Sequence, residues 1–348
     1  MAEVAGAVEH RETRPAAPVD ARFRSLQLGL LALRAGPALI LVILVLVVAA
    51  TTPVFRTSEN LGNLLSQTAV ISILALGQLL VIVTRGIDLS VGSTIALSSV
   101  VGALLYRDGY GTGVVILAIL ATGVAVGLVN GVIYVYGRIP HPFIVTLATL
   151  SAVRGLALWA ASGTLIYGMP GAVQAVGGDR IGWFPHASFV VIGLALVVLV
   201  LTTRLVWGRW LYAVGGNPDA ARRAGIPVKR VLVTVYVLSG LAAGVCGLLT
   251  AGLTNAGSPN YGELAELDAI AAVIIGGAAF AGGRGNVGNA IVGALTIGVI
   301  RNALNLHNVD AFFQLIVIGA VILLAVEADV VRGHLENRFR VARAARVT

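Results

Sequence analysis

The chain has 348 residues, of which 57% are hydrophobic and only 11% charged, with a mean hydropathy of +0.93. Soluble domains carry about 25% charged residues, so this composition excludes a water-soluble globule and places the chain in a bilayer. The net charge of +8 falls largely before the first apolar run (Arg11, Arg14, Arg22, Arg24, Arg34) and after the last (Arg332 to Arg346), so it marks membrane topology and argues against nucleic-acid binding.

Residues 1–35 are polar, mixed in charge and rich in proline and alanine, and read as a disordered basic cytoplasmic tail. A cleaved signal peptide is the competing reading, but the charged stretch is long and acidic as well as basic. Ten apolar runs follow, at 36–52, 62–83, 93–106, 113–136, 143–161, 188–206, 231–252, 266–282, 287–303 and 312–328. They predict an all-α polytopic membrane protein of about ten transmembrane helices with both termini cytoplasmic. The membrane domain spans 36–330, with a polar loop at 207–230, and a second basic cytoplasmic tail occupies 331–348. In this arrangement Arg85, Arg138, the Arg204–Arg230 cluster and Arg284 lie on the inner side. Only Arg56, Arg107 and Arg180 lie outside, which is the asymmetry that cytoplasmic loops show. Runs 93–106 and 266–282 are short for a full crossing and also fit half-helices or re-entrant pieces, so eight to eleven spans suit the pattern. An inverted five-plus-five repeat fits the count, although no internal self-similarity is visible. Ser162–Ala187, rich in Gly, Pro and Trp, is expected to form a short external cap. Cys246 lies alone inside an apolar run, cannot form an internal disulfide, and is read as packing.

The polar island LYAVGGNPDAARRAGIPVKR at 211–230 carries its own helix signals. Asn217 is a good N-cap, Pro218 suits the first helical position and Asp219 faces the positive end of the dipole. Gly225 can take the left-handed conformation at the exit, and Pro227 prevents the helix from resuming. A helix of about two turns does not hold itself together in water, so a docking partner at the membrane surface is expected. Earlier in the chain, TRGIDLSVGS at 84–93 places Asp88 at a membrane boundary, with Gly86 and Gly92 allowing a tight reversal. Asp88 and Ser90 can there satisfy the amides of the next helix start; a turn-and-cap role and a direct role in gating both fit. The run IGGAAFAGGRGNVG at 275–288 is glycine-rich but lacks Gly-Lys-Ser/Thr, and the only lysine is Lys229, so no Walker A loop is present. Gly282, Gly283, Arg284 and Gly285 are read instead as a kinked inner loop.

Polar residues inside the apolar runs are Gln78, Asn130, Thr146, Arg154, Asn255, Asp268, Arg301, Asn302, Asn305 and Gln314. Each is either interhelical glue or functional, and together they suggest an uncharged hydrogen-bonding pathway, with Gln78, Asn130, Thr146, Asn255, Asp268, Asn305 and Gln314 as its candidates. No cluster has metal-ligand spacing and no nucleophile–base pair is apparent. Neither a catalytic nor a metal site is therefore assigned, and neither His141 nor His307 is given a role. An ion-coupled secondary transporter would need carboxylates near the midplane, whereas Asp88, Glu266, Asp268 and Glu327 are expected near segment ends.

GIDLSVGS at 86–93, AVGGNPDAARRAGIPVKR at 213–230 and ELDAIAAVIIGGAAFAGGRGNV at 266–287, in this order and spacing, resemble the permease subunits of ribose-type sugar ABC importers. Related families carry nucleosides and, more distantly, branched-chain amino acids. The resemblance covers nearly all of the chain after the N-terminal tail. It implies a type II ABC importer-like fold in a bacterial cytoplasmic (inner) membrane and a second permease copy, identical or closely related. It also implies a cytoplasmic ATPase holding ATP and Mg, an extracytoplasmic substrate-binding protein, and no cofactor on this chain. Under it, Asn217, Pro218, Asp219, Ala220, Ala221, Arg222, Arg223, Gly225 and Pro227 form the coupling helix that sits in a groove of the ATPase. Arg222 and Arg223 would face the acidic rim or the backbone of that groove. Arg85 departs from the pattern, since glycine is frequent there.

Overall fold

The computed structural model describes residues 36–344, with side chains as far as Val331. The expected tail at 1–35 lies outside the described residues. In chain order the helices are α1 (Gly36–Thr51), a 3-10 turn (Pro53–Arg56), α2 (Ser58–Val83), α3 (Val91–Arg107), α4 (Thr112–Tyr136), α5 (Pro142–Ala160) and α6 (Gly171–Gly178). They continue with α7 (His186–Thr203), α8 (Val206–Gly216), α9 (Pro218–Arg223), α10 (Val228–Thr254), α11 (Ala265–Ile275), α12 (Val287–Leu306) and α13 (Ala311–Ala344). Seven of them, α2, α4, α5, α7, α10, α12 and the apolar part of α13, are long and apolar enough to cross a membrane among the described residues. The chain is an all-α polytopic membrane protein.

The run 266–282 takes the half-helix form it allowed: α11 stops at Ile275, where Gly276 caps it and Gly277 turns at φ +81°. Its 11 residues cover about 16 Å, roughly half of a bilayer core. At the other extreme, α13 continues past the apolar run 312–328 as a single helix through Ala344.

Helix α2 is the axis of the bundle, with 83% of its apolar window buried, whereas the apolar part of α13 has 6% buried and forms the periphery. Helix α2 runs antiparallel to α10, with Gly77 against Ser239 and Ala242 and the Cys246 thiol on the Val70 carbonyl at 3.4 Å. It also runs antiparallel to α12, where Asn60 and Asn302 exchange amide hydrogen bonds of 3.1 and 2.9 Å and Thr68 meets Gly298. Helices α4 and α10 approach backbone to backbone, Gly123, Gly127 and Gly131 facing Gly240, Gly244, Tyr236 and Val233. Small residues four apart allow this contact, which matters where lipid offers no hydrophobic drive for helices to associate.

The packing repeats with inverted direction. Helix α3 packs on α4, α5 and α10; α11 packs on α12, α13 and α2. Each of the two long central helices, α2 and α10, ends in a non-helical break that returns into the bundle before the next helix starts. After α2, Arg85 turns at φ +66° and residues 84–90 fold back along the helix. After α10, Asn255 turns at φ +50°, and the descending segment passes Ser99 and then reaches Gly92 and Ile95 before Leu264 turns at φ +60°. Non-helical backbone at this depth is tolerated only because protein surrounds it.

The expected external cap contains α6 and two short antiparallel pairings. Ile166–Tyr167 pairs with Ala256–Gly257, and Arg180–Ile181 pairs with Phe184–Pro185. At the opposite end emerge the segments carrying Arg85, α8–α9 and Gly282–Gly285, with Lys229 over the Tyr136 ring at 5.3 Å.

Candidate functional site

The first site is the break after α2. Asp88 is fully buried, with a relative exposure of 0%. Its carboxylate accepts from the Ser90 amide at 3.0 Å, the Ser90 hydroxyl at 2.7 Å and the Ser239 hydroxyl at 2.8 Å. The Gln78 side-chain amide donates to the Asp88 carbonyl, and the Asn130 amide donates to the Ser90 hydroxyl at 2.8 Å. Thr146 of α5 donates to the Ile87 carbonyl at 3.1 Å. Asp88 therefore does not lie at a membrane boundary. Ser239 is about 16 Å along α10 from Val228 at 1.5 Å per residue, so the carboxylate sits inside the bundle. The cause is the re-entrant course of 84–90, which carries Asp88 back to Gln78, five residues before the end of α2.

No lysine, arginine or histidine bonds this carboxylate among the described residues, so its stabilisation comes from three neutral donors. The Gln78 and Asn130 side-chain oxygens and the Tyr236 hydroxyl are buried without a protein partner. Both amide orientations are fixed by their donors, because turning either would set oxygen against the Asp88 carbonyl or against a hydroxyl already donating.

The second break lies beside the first. A side chain at Gly92, in the first turn of α3, would overlap the Glu266 carboxylate and the Gly262 carbonyl, so the starts of α3 and α11 touch inside the bundle. Asp268, 7% exposed, pairs with Arg301 of α12 through bonds of 2.8 and 2.7 Å. Arg154 of α5 donates to the Pro259 and Tyr261 carbonyls at 2.5 and 2.9 Å. Helix α5 is thus pinned to both breaks, by Thr146 to one and by Arg154 to the other.

The polar residues predicted to share one pathway separate into groups. Gln78, Asn130 and Thr146 serve the first break, and Asp268 serves the α11–α12 contact. Asn255 accepts from the Met169 amide at 2.8 Å and holds the external cap. Gln314 donates to Asn305 at 2.8 Å and fixes the α12–α13 turn. Glu266 and Asp268 likewise lie inside the bundle, because α11 begins at the depth of Gly92 rather than at a boundary.

The third place is α9 with its foot. The Asn217 side chain accepts from the amides of Asp219 and Ala220 at 3.1 and 3.0 Å, and Pro218 opens the helix. Gly225 turns at φ +80°, and α10 begins after Pro227. Ala221 is buried against the body, whereas Asp219, Ala220, Arg222 and Arg223 are exposed. Immediately before Asn217, Gly215 packs on the Val83 carbonyl, the Gly283 amide donates to that same carbonyl at 2.8 Å, and Tyr212 donates to the Gly285 carbonyl at 2.9 Å. The last turn of α8, which leads directly into α9, is therefore seated on the turn after α2 and on the loop between α11 and α12. Sequence reasoning missed Ser239, Tyr236 and Tyr212, which carry no motif of their own. The run of small hydroxyl residues Ser90, Ser93, Thr94, Ser98 and Ser99, all buried, was the available signal that α3 starts in the interior.

Residues 60–326 match the family described as branched-chain amino acid transport system / permease component. The ribose import permease protein of Escherichia coli (strain K12) is 39% identical over 302 residues, covering 83% of this chain and 91% of that protein. The D-allose transport system permease protein of the same strain is 36% identical over 300 residues, covering 84% and 90%. Its xylose transport system permease protein is 32% identical over an alignment of 380 positions, covering 91% and 96%. No solved structure matches the chain significantly.

Proposed function

Because the chain belongs to this permease family, we propose that it is the membrane subunit of an ATP-driven importer and forms the passage for a neutral monosaccharide of the pentose, hexose or polyol kind. The solute would be delivered by an extracytoplasmic binding protein across the bacterial inner membrane. ATP and Mg would be bound and hydrolysed by a separate cytoplasmic ATPase. A second permease copy, identical or related, would complete the passage, and this chain would bind neither nucleotide nor nucleic acid.

The observation that carries the reading is the seating of α9. It is a capped, outward-facing helix that follows directly on the last turn of α8, and that turn contacts the re-entrant turn before α3 and the loop between α11 and α12. A helix of six residues cannot hold its shape alone. Its exposed Arg222 and Arg223 suit a groove on the ATPase, and closure of the ATPases on ATP would move α9 and shift the bundle between inward- and outward-open populations.

The reading is tested by purifying the chain from native membranes in mild detergent and identifying what accompanies it. An ATPase and an exported binding protein are expected, and the solute held by the latter names the substrate. In reconstituted vesicles Gly225→Val and Arg222→Glu should hydrolyse ATP without uptake; normal uptake in both would remove the coupling role of α9.

Ion-gradient coupling is the second reading, and the burial of Asp88, Glu266 and Asp268 gives it a specific basis. Asp268 is already committed to Arg301, and family membership favours ATP. Uptake that survives ATP depletion and collapses with an ionophore would reverse the choice.

A further inference from the structure

Arg85 adopts a backbone conformation, φ +66°, that side-chain-bearing L residues avoid and glycine takes freely. A residue held in such a turn is a reason to ask what its side chain does. The Arg85 guanidinium reaches across to the last turn of α8. Its Nε donates to the Gly215 carbonyl at 2.7 Å, and a terminal nitrogen donates to the Gly216 carbonyl. These two carbonyls belong to the residues immediately before Asn217, the N-cap of α9. A planar fork suits two adjacent carbonyls in a way that a single ammonium does not.

Arg85 is exposed at the end of the bundle, and glycines crowd its neighbours. A side chain at Gly282, itself at φ +82°, would overlap the aliphatic part of Arg85. Gly215 lies against the Val83 carbonyl, which also accepts from the Gly283 amide. On its other side the Arg85 backbone continues directly through Gly86 and Ile87 to Asp88 and Ser90, where α3 begins. A continuous path thus runs from α9 through Asn217 and the Gly215 and Gly216 carbonyls to Arg85, and then along the chain to the buried carboxylate.

We propose that Arg85 is a positioning residue, a strap that binds the foot of α9 to the re-entrant turn, so that displacement of α9 is delivered to the start of α3. The proposal rests on the reading of α9 as the coupling helix. A plain helix-end cap would stabilise α8 and do nothing more, and the two roles separate in one substitution. Arg85→Gly removes the guanidinium and simultaneously relieves the left-handed backbone, so the fold loses one contribution and gains another.

The test uses the complete transporter in vesicles with its binding protein, and compares wild type, Arg85→Gly and Arg85→Lys with Gly225→Val and Arg222→Glu in parallel. Melting temperature of the complex, recovery of the ATPase with the permease, ATP hydrolysis and solute uptake are measured together. Arg85→Gly is expected to keep the melting temperature and the assembled ATPase while uptake per ATP falls about tenfold, within the usual range of coupling between sites. Arg85→Lys, with one charge and no fork, is expected to fall between. Uptake per ATP unchanged in Arg85→Gly overturns the proposal. So does a loss of uptake matched by loss of melting temperature and assembly, which marks a cap alone. If Gly225→Val transports normally and Arg222→Glu does so as well, the coupling reading of α9 itself fails and the strap falls with it. A defect in Gly225→Val without one in Arg85→Gly removes only the strap.

Discussion

A close contact between two helices of the bundle makes a prediction with a built-in control. A methyl group added at Gly240 of α10 would lie 2.9 Å from both the Cα and the amide nitrogen of Gly127, and nearer still to the Gly123 carbonyl oxygen. All three are backbone atoms of α4, so no side chain can swing aside and the helices must separate. Gly193 of α7 has nothing within 4 Å of the same position. Alanine in place of glycine inside a helix gains about 0.8–1.0 kcal/mol of propensity at either site. Overpacking at Gly240 costs about 1–3 kcal/mol. The propensity gain cancels in the comparison, leaving Gly240→Ala about 1–3 kcal/mol less stable than Gly193→Ala. At 2 kcal/mol the ratio of folded to unfolded protein differs about thirtyfold. Thermal or denaturant unfolding of the detergent-solubilised protein reads this directly. Equal stability of the two variants would refute the backbone-to-backbone contact between α4 and α10.

Two further measurements address the interior. Arg301→Met should cost about 3–5 kcal/mol by leaving the Asp268 carboxylate buried and unpaired, and Asp268→Leu introduced with it should recover most of the loss; unfolding of the single and double variants checks this. Cys246 is fully buried, so it should resist a maleimide in the folded protein and react as thermal unfolding proceeds; prompt labelling of the native state would contradict the α2–α10 contact.

The helices were legible where apolar runs were long and bounded by Gly, Pro or Arg, and the α9 caps were legible because Asn217, Pro218 and Gly225 act locally. The breaks were legible only as the short runs 93–106 and 266–282, which also fit half-helices; their course was not. Asp88 follows an apolar run, and hydropathy along a chain treats a charge in that place as a boundary; only the tertiary fold shows the chain doubling back on Gln78. For 266–282 the same arithmetic continued through Gly276 and Gly277 because Ala278, Ala279 and Phe280 remain apolar. The seven pathway candidates were grouped by chemistry, whereas their partners, Ser90, Ile87, Met169, Arg301 and Val309, are set by three-dimensional position. Arg85 stood out only as an oddity of its motif, since nothing in the sequence reveals that α8 ends within its reach.

The two inverted halves are unequal in one respect that bears on mechanism. Between α1 and α2 the chain has only a 3-10 turn, whereas α8 and α9 are inserted between α7 and α10. The segment α8–α9 therefore belongs to the second half by sequence but, through the end of α8, contacts the break of the first half at Val83 and Arg85. The break of the second half faces the opposite end, where the pairing of Ile166–Tyr167 with Ala256–Gly257 and the bonds from Arg154 hold it. What joins the two is the contact of Gly92 with Gly262 and Glu266, which leaves no room for even a methyl group. On the reading of α9 as the coupling helix, a push on the first break that moves α3 is expected to move α11 as well, because a close-packed contact transmits displacement rather than absorbing it. On that reading, opening one end while closing the other would require no signal along a separate route: α3 and α11, touching at their starts, would shift as one.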